Sequence, residues 1–169
     1  MSEHRNTPIE VVAAVKSFIR IGLDPCSNPT SVVDARHSYT LPDQDGLRLP
    51  WTDMLAPDEA VYVNTDWRHH QQWVDKALEE RAPTLYWGPA YTETRWARDL
   101  FATRPVVCFW GVRVKHADPC PEISPSTGKP KANNASMWPT MLVGLHLNSC
   151  QRFDFIAALK GSGTIMACV

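Results

Sequence analysis

Short apolar runs alternate with segments of helical period along most of this chain. Ile21-Gly22-Leu23, Val61-Tyr62-Val63, Thr84-Leu85-Tyr86-Trp87, Val106 to Trp110, Thr140 to Leu147 and Gly163 to Val169 read as strands. Val112 and Val114 alternate with Arg113 and Lys115, which predicts a further, half-exposed strand. The segments after Thr7-Pro8, from His70 to Arg81, from Thr92 to Thr103 and from Arg152 to Lys160 carry apolar side chains at helical spacing. At the first helix Thr7 suits the N-cap, Pro8 the first helical position, and Glu10 completes a capping box. Residues 36–60 read as irregular, with three prolines and the turn pair Asp45-Gly46. Strands alternating with helices predict an α/β fold, a doubly wound and mostly parallel sheet in a single domain over residues 1–169.

In such sheets ligands bind outside the carboxyl ends of the strands. Three predicted strands end in polar clusters: Asp24-Pro25-Cys26-Ser27-Asn28, Asn64-Thr65-Asp66-Trp67, and the stretch from Gly88 to Arg95. Their convergence on one sheet edge predicts a crevice. Of the seven tryptophans, most read as core and one or two as stacking surfaces for a flat ligand. Residues 117–136 form a long loop rich in Pro, Ser, Asn and Lys, and a loop of that length is either functional or disordered. Lys115, Lys129 and Lys131, with Arg113, flank it as the cluster suited to phosphate contacts; a solvated surface is the competing reading.

Composition narrows the classes. A formal charge of −1 argues against a generally basic, nucleic-acid-coating protein but leaves room for a local patch. The five cysteines are scattered without a C-x-x-C pair and read as reduced thiols. His116 and Cys120 lie four apart with no second ligand pair, so no metal site is expected. No apolar run has the length of a membrane span, and the first residues lack a signal-peptide pattern; a cytoplasmic protein is expected.

An ordered set of segments carries a family resemblance over nearly the whole chain. It comprises Thr7-Pro8 before a helix, Leu23-Asp24-Pro25-Cys26-Ser27-Asn28-Pro29, Tyr39-Thr40, Asp45-Gly46-Leu47 with Pro50-Trp51, Val61-Tyr62-Val63-Asn64, Thr92-Glu93-Thr94-Arg95-Trp96 and Met137-Trp138-Pro139-Thr140. In this order and at these intervals the chain resembles the phage-type DNA N6-adenine methyltransferases, which are Dam-like enzymes dependent on S-adenosylmethionine. The resemblance implies a Rossmann-like methyltransferase fold in the cytoplasm of a phage's host. It also implies transfer of a sulfonium methyl group to the exocyclic amine of adenine in DNA.

Where the family has NPPY, this chain has Asn64-Thr65-Asp66-Trp67. The resemblance implies that the amide accepts the amine hydrogens and the aromatic ring stacks on the base. Thr65 and Asp66 stand in place of two prolines, so the fixed φ is lost and a carboxylate is added. Asp24, Cys26, Ser27 and Asn28 fall where the cofactor would bind, without a Gly-rich loop, and Asp45 falls where it would meet the cofactor's adenine. Each also has a local explanation: turn chemistry for Asp24, Ser27, Asn28 and Asp45, packing for Cys26. DNA contacts fall to Arg95, Lys115, Lys129 and Lys131, with residues 117–136 as the target-recognition element. The alternative is a catalytically inactive descendant that binds DNA, the cofactor or a host protein.

Overall fold

The computed structural model describes residues 6–66, 68–114 and 138–167. In chain order the elements are α1 (Ile9–Lys16), β1 (Arg20–Ser27), β2 (His37–Thr40), a 3-10 turn (Thr52–Met54), β3 (Glu59–Val63) and α2 (His70–Glu80). Then follow β4 (Thr84–Pro89), α3 (Arg95–Ala102), β5 (Val106–Trp110), β6 (Thr140–Leu145), α4 (Ser149–Leu159) and β7 (Gly163–Ala167).

The strands form one sheet in the order β2-β1-β3-β4-β6-β5-β7. β2, β1, β3 and β4 pair in parallel. β6 runs antiparallel to β4 and β5, and β7 antiparallel to β5. The α/β expectation holds, but a mostly parallel sheet describes one half of it. Apolar period identifies a strand without giving its direction, so this antiparallel half had no signal.

Helices cover both faces, as double winding requires. Val11, Val12 and Val15 of α1 and Phe155 and Leu159 of α4 bury Tyr62, Leu85 and Trp87 on one face. Val74 and Ala77 of α2 and Trp96, Ala97 and Leu100 of α3 bury Val61, Val63 and Tyr86 on the other. Alternate side chains of β3 and β4 thus enter opposite cores, which is why these strands are apolar throughout.

Four local expectations are corrected. β1 continues through Asp24-Pro25-Cys26-Ser27, where a loop was expected, with its register to β2 interrupted between Asp24 and Ser27. Pro25 has no N–H to give to the ladder, which accounts for a break in register rather than an end to the strand. The 36–60 stretch contains β2. Residues 112–114 are not a strand: Gly111 N donates to Ser162 O at 2.8 Å and the chain bends away. Pro8, not Thr7, is the N-cap residue of α1 and no side chain caps that helix, so Thr7 is available for other bonds.

A buried charge fixes the amino end of the parallel half. Glu59 is 1% exposed. It accepts from Arg36 Nε at 2.9 Å, Arg36 Nη2 at 2.6 Å and the Ala56 N–H at 2.9 Å. A Cβ on Gly22 would stand 2.5 Å from Glu59 Oε2, so glycine is required for the carboxylate to pack against β1.

Candidate functional site

The chain leaves β1 for β2 on one side and returns to β3 on the other, so the winding reverses between β1 and β3. At such a switch point the two crossovers part and a crevice opens beyond the carboxyl ends of the two strands. Here those ends carry Asp24 to Ser27 and Asn64 to Asp66.

Asp24 is 4% exposed. Ser31 Oγ donates to it at 3.1 Å and the Cys26 N–H at 3.3 Å. Burial outweighs these bonds and pushes its carboxyl up to about 6. The Tyr62 hydroxyl is buried close to Thr7 and has no hydrogen-bond partner of good geometry among the described residues. A buried carboxylate pushed up by desolvation and a buried phenol beside Thr7 make this strand end the candidate site.

Asn64 joins three segments. Its N–H donates to Cys26 Sγ at 3.3 Å, and its Nδ2 donates to Thr7 Oγ1 at 2.9 Å. The Cys26 thiol is pushed up by burial and by the neighbouring Asp24, so it stays protonated and serves as an acceptor rather than a nucleophile. Asn28 is committed locally: Nδ2 donates to Asn6 Oδ1 at 3.0 Å, and Oδ1 accepts from the Thr30 N–H at 2.9 Å. It holds the segment before α1 across the end of β1. Ser27 is half-buried at the last position of that strand.

The Asp45-Gly46 turn lies against β1. A Cβ on Gly46 would be 1.9 Å from Pro25 O, and Trp51 Nε1 donates to Gly46 O at 2.8 Å. Asp45 accepts from the Leu47 N–H at 3.0 Å and lies 3.3 Å from Arg48. The turn chemistry of Asp45 is thus observed, and its turn packs against Pro25 of β1.

Thr65 is buried. Asp66 accepts from the Arg68 N–H at 3.1 Å and pairs with Arg68 Nη2 at 3.0 Å, while its carbonyl accepts from the His69 N–H at 3.0 Å. Partial burial works against the charge, but the Arg68 bonds hold the Asp66 carboxyl below the usual range. Arg95 is exposed in the first turn of α3, 3.7 Å from Asp99. Trp67, Lys115, Lys129 and Lys131 lie outside the described residues, as do His116 and Cys120. The described chain on either side of residues 115–137 leaves β5 and enters β6 at the end of the sheet where β1 and β3 have their carboxyl ends.

Several contributors escaped sequence reading. Thr7 looked like a helix cap, and Tyr62 looked like plain core. Behind the Asn64–Asp66 segment, His70 is 3% exposed, bonds the Tyr86 hydroxyl through Nδ1 and stacks on Trp96 at 4.6 Å. Burial lowers the His70 imidazole to about 4, so it is neutral at physiological pH. Among the described residues, no group of three or more His, Cys, Asp or Glu side chains is placed to hold a metal. No described helix is long and apolar enough to cross a membrane. Comparison of the chain with family models, curated proteins and solved structures finds no match.

Proposed function

We propose that the protein is an S-adenosylmethionine-dependent methyltransferase acting on the N6 amine of adenine in DNA. The observation that carries this reading is the pairing, across the β1/β3 switch point, of a buried Asp24 with an Asn64 amide whose nitrogen is held by Thr7. The residues fit the cofactor: Asp24 offers a desolvated carboxylate to an ammonium or a ribose hydroxyl, and the unsatisfied Tyr62 hydroxyl sits beneath the same cluster. Once bound, S-adenosylmethionine supplies an electrophilic sulfonium methyl group.

The chain's own part is to bind and align. An ammonium beside Asp24 offsets the cost of its buried charge. Thr7 engages the Asn64 nitrogen, which turns the amide oxygen away from Thr7 as the acceptor for the adenine amine's hydrogen. Fixing that amine in line with the methyl group lowers the barrier by removing orientational freedom. The turn built by Asp66 on the Arg68 and His69 N–H groups restores some of the stiffness that a proline pair would supply. Pairing with Arg68 also offsets the Asp66 charge before DNA phosphates approach.

A second reading, a non-catalytic descendant that binds DNA, the cofactor or a host protein, draws on the same two positions, because Thr65-Asp66 is not the proline pair of the resembled motif. Two measurements separate the readings. Calorimetry with S-adenosylmethionine and S-adenosylhomocysteine tests the crevice. Mass spectrometry of digested DNA, after incubation with cofactor, tests for N6-methyladenine. Cofactor binding without methylated adenine supports the second reading; no binding of either cofactor form at millimolar concentration defeats the first.

A further inference from the structure

We infer that the outer edge of β7, with the flank of α4 beside it, is the surface on which two copies of this chain pair through a continuous sheet.

β5 takes one side of β7, and among the described residues no strand lies on the other. In an antiparallel ladder the backbone groups of alternate residues face opposite sides, so part of the N–H and C=O groups of β7 point away from β5. Such an edge is a template for another strand, and proteins commonly guard it with a charge, a proline or a short length. The opposite edge of this sheet is guarded in that way: β2 has four residues, Arg36 precedes it and Pro42 follows. β7 is Gly163-Thr164-Ile165-Met166-Ala167, with neither a charge nor a proline. Thr164, Met166 and Ala167 are exposed, Met166 to 54%.

The apolar surface continues from the strand onto the helix. Phe155 and Leu159 form the inner stripe of α4. A turn of about 100° per residue then puts Phe153 and Ile156 together on one flank. Ala158, which packs against the α1 core, falls on the other. β6 and β7 both run antiparallel to β5, so α4 is the crossover between two parallel strands, and the right-handed path turns the Phe153 flank outward past β7. Phe153 is 70% exposed and Ile156 37%. One exposed apolar side chain is ordinary; several beside an unguarded strand make an interaction patch.

The geometry selects a second copy as the occupant. Outward N–H and C=O groups call for a strand, and an uncharged strand meets no like charge in its own duplicate. Antiparallel pairing of β7 with β7 about a two-fold axis is self-complementary and brings both α4 helices to the same face. α4 rests on β5 and β7. With strands about 4.8 Å apart, the two helices stand roughly 10–14 Å from each other. Directly packed helices lie about 8–10 Å apart, so the remaining space is what Phe153 and Ile156 of both copies fill. One short strand and one helix flank fall toward the low end of specific interfaces, about 1,200 Å² in total, which suits a dimer that dissociates on dilution.

Sedimentation velocity of the full chain between roughly 5 and 200 µM should show monomer giving way to dimer. Hydrogen exchange at the same two concentrations should show protection rising at the β7 amides and not at β2. Met166→Lys places a guarding charge on the edge, and Phe153→Asp places one on the helix flank. Both positions are exposed, and circular dichroism checks that the monomer stays folded. Each substitution should weaken dimerisation roughly tenfold or more, whereas Phe153→Leu should keep most of it. A monomer at every concentration would overturn the pairing. So would a dimer whose β7 amides exchange equally at both concentrations, or one that both charged variants leave intact.

Discussion

The side-chain nitrogen of Asn64 donates to the hydroxyl of Thr7 at 2.9 Å, linking residues 57 positions apart in the chain. Thr7 precedes the first helix and Asn64 follows β3, so one bond ties the opening of the chain to the segment read as the acceptor site. A threonine one residue before the N-cap thus takes part in orienting the amide.

Thr7→Val removes that acceptor while keeping the shape. The expected cost in stability is about 1 kcal/mol, the worth of one hydrogen bond. On the proposed reading, methyl transfer in a single turnover should fall severalfold, on the order of the rate change that about 1 kcal/mol of lost alignment gives, because Asn64 loses one of the bonds that orient its amide, whereas Thr7→Ser should retain most activity. Equal rates in Thr7→Val and the parent would remove Asn64 orientation from the mechanism.

Asp24 should make the protein less stable as pH rises. Its carboxyl is pushed from the ordinary 3.8 to about 6, so the folded state holds its proton more tightly than the unfolded chain. The favourable contribution is complete below about pH 3.8 and is lost as pH rises through about 6. The span corresponds to about 3 kcal/mol. Asp24→Asn should therefore raise Tm at pH 8 and at the same time abolish cofactor binding by calorimetry. A destabilised variant at that pH would show that Asp24 is held by partners rather than strained by burial.

His70 should act in the opposite sense. Burial lowers it from 6.5 to about 4, so the unfolded chain binds the proton more readily. Its contribution is complete above about pH 6.5 and is lost as pH falls through about 4. Across the shared window the two groups oppose each other, and the parent's denaturation midpoint should change little from their combined effect. His70→Phe should expose the falling Asp24 limb, and Asp24→Asn the rising His70 limb, in urea titrations at stepped pH. Parallel pH profiles in parent and variants would refute the opposition.

Arg36→Met leaves Glu59 buried with fewer partners, and should cost about 3–5 kcal/mol of unfolding free energy. Arg36 holds the Glu59 carboxyl down from 4.5 to about 2. The stabilisation it provides is present above about pH 4.5 and lost as pH falls through about 2. Urea unfolding of the parent and the variant at pH 7 and pH 3 should show the gap narrowing at the lower pH. This pair lies at the amino end of the strands, so cofactor binding per folded molecule should not change.

Sequence pattern located every helix of the described chain to within a few residues and most strands, because each buries a stripe or a face with its own period. It missed β2, whose Tyr39 hydroxyl bonds the Pro50 carbonyl from within a proline-broken stretch. It also ended β1 too early, since Asp24-Pro25 has the composition of a loop. The polar ends of β1 and β3 were legible, but the approach of Thr7 and Tyr62 to them was not, because only the folded chain brings a threonine near the amino terminus to the end of β3. The bracing rings of His70 and Trp96 likewise carry no sequence signature beyond helical spacing.

The antiparallel return of β6 beside β5 has a consequence for how such a chain can change. Both flanks of residues 115–137 emerge from adjacent strands at one rim of the sheet. Two such neighbouring anchor points tolerate insertion or deletion between them while the ladder beneath keeps its register. A change of length between these two anchor points leaves the β5–β6 ladder untouched, so that stretch of sequence and the core can vary independently.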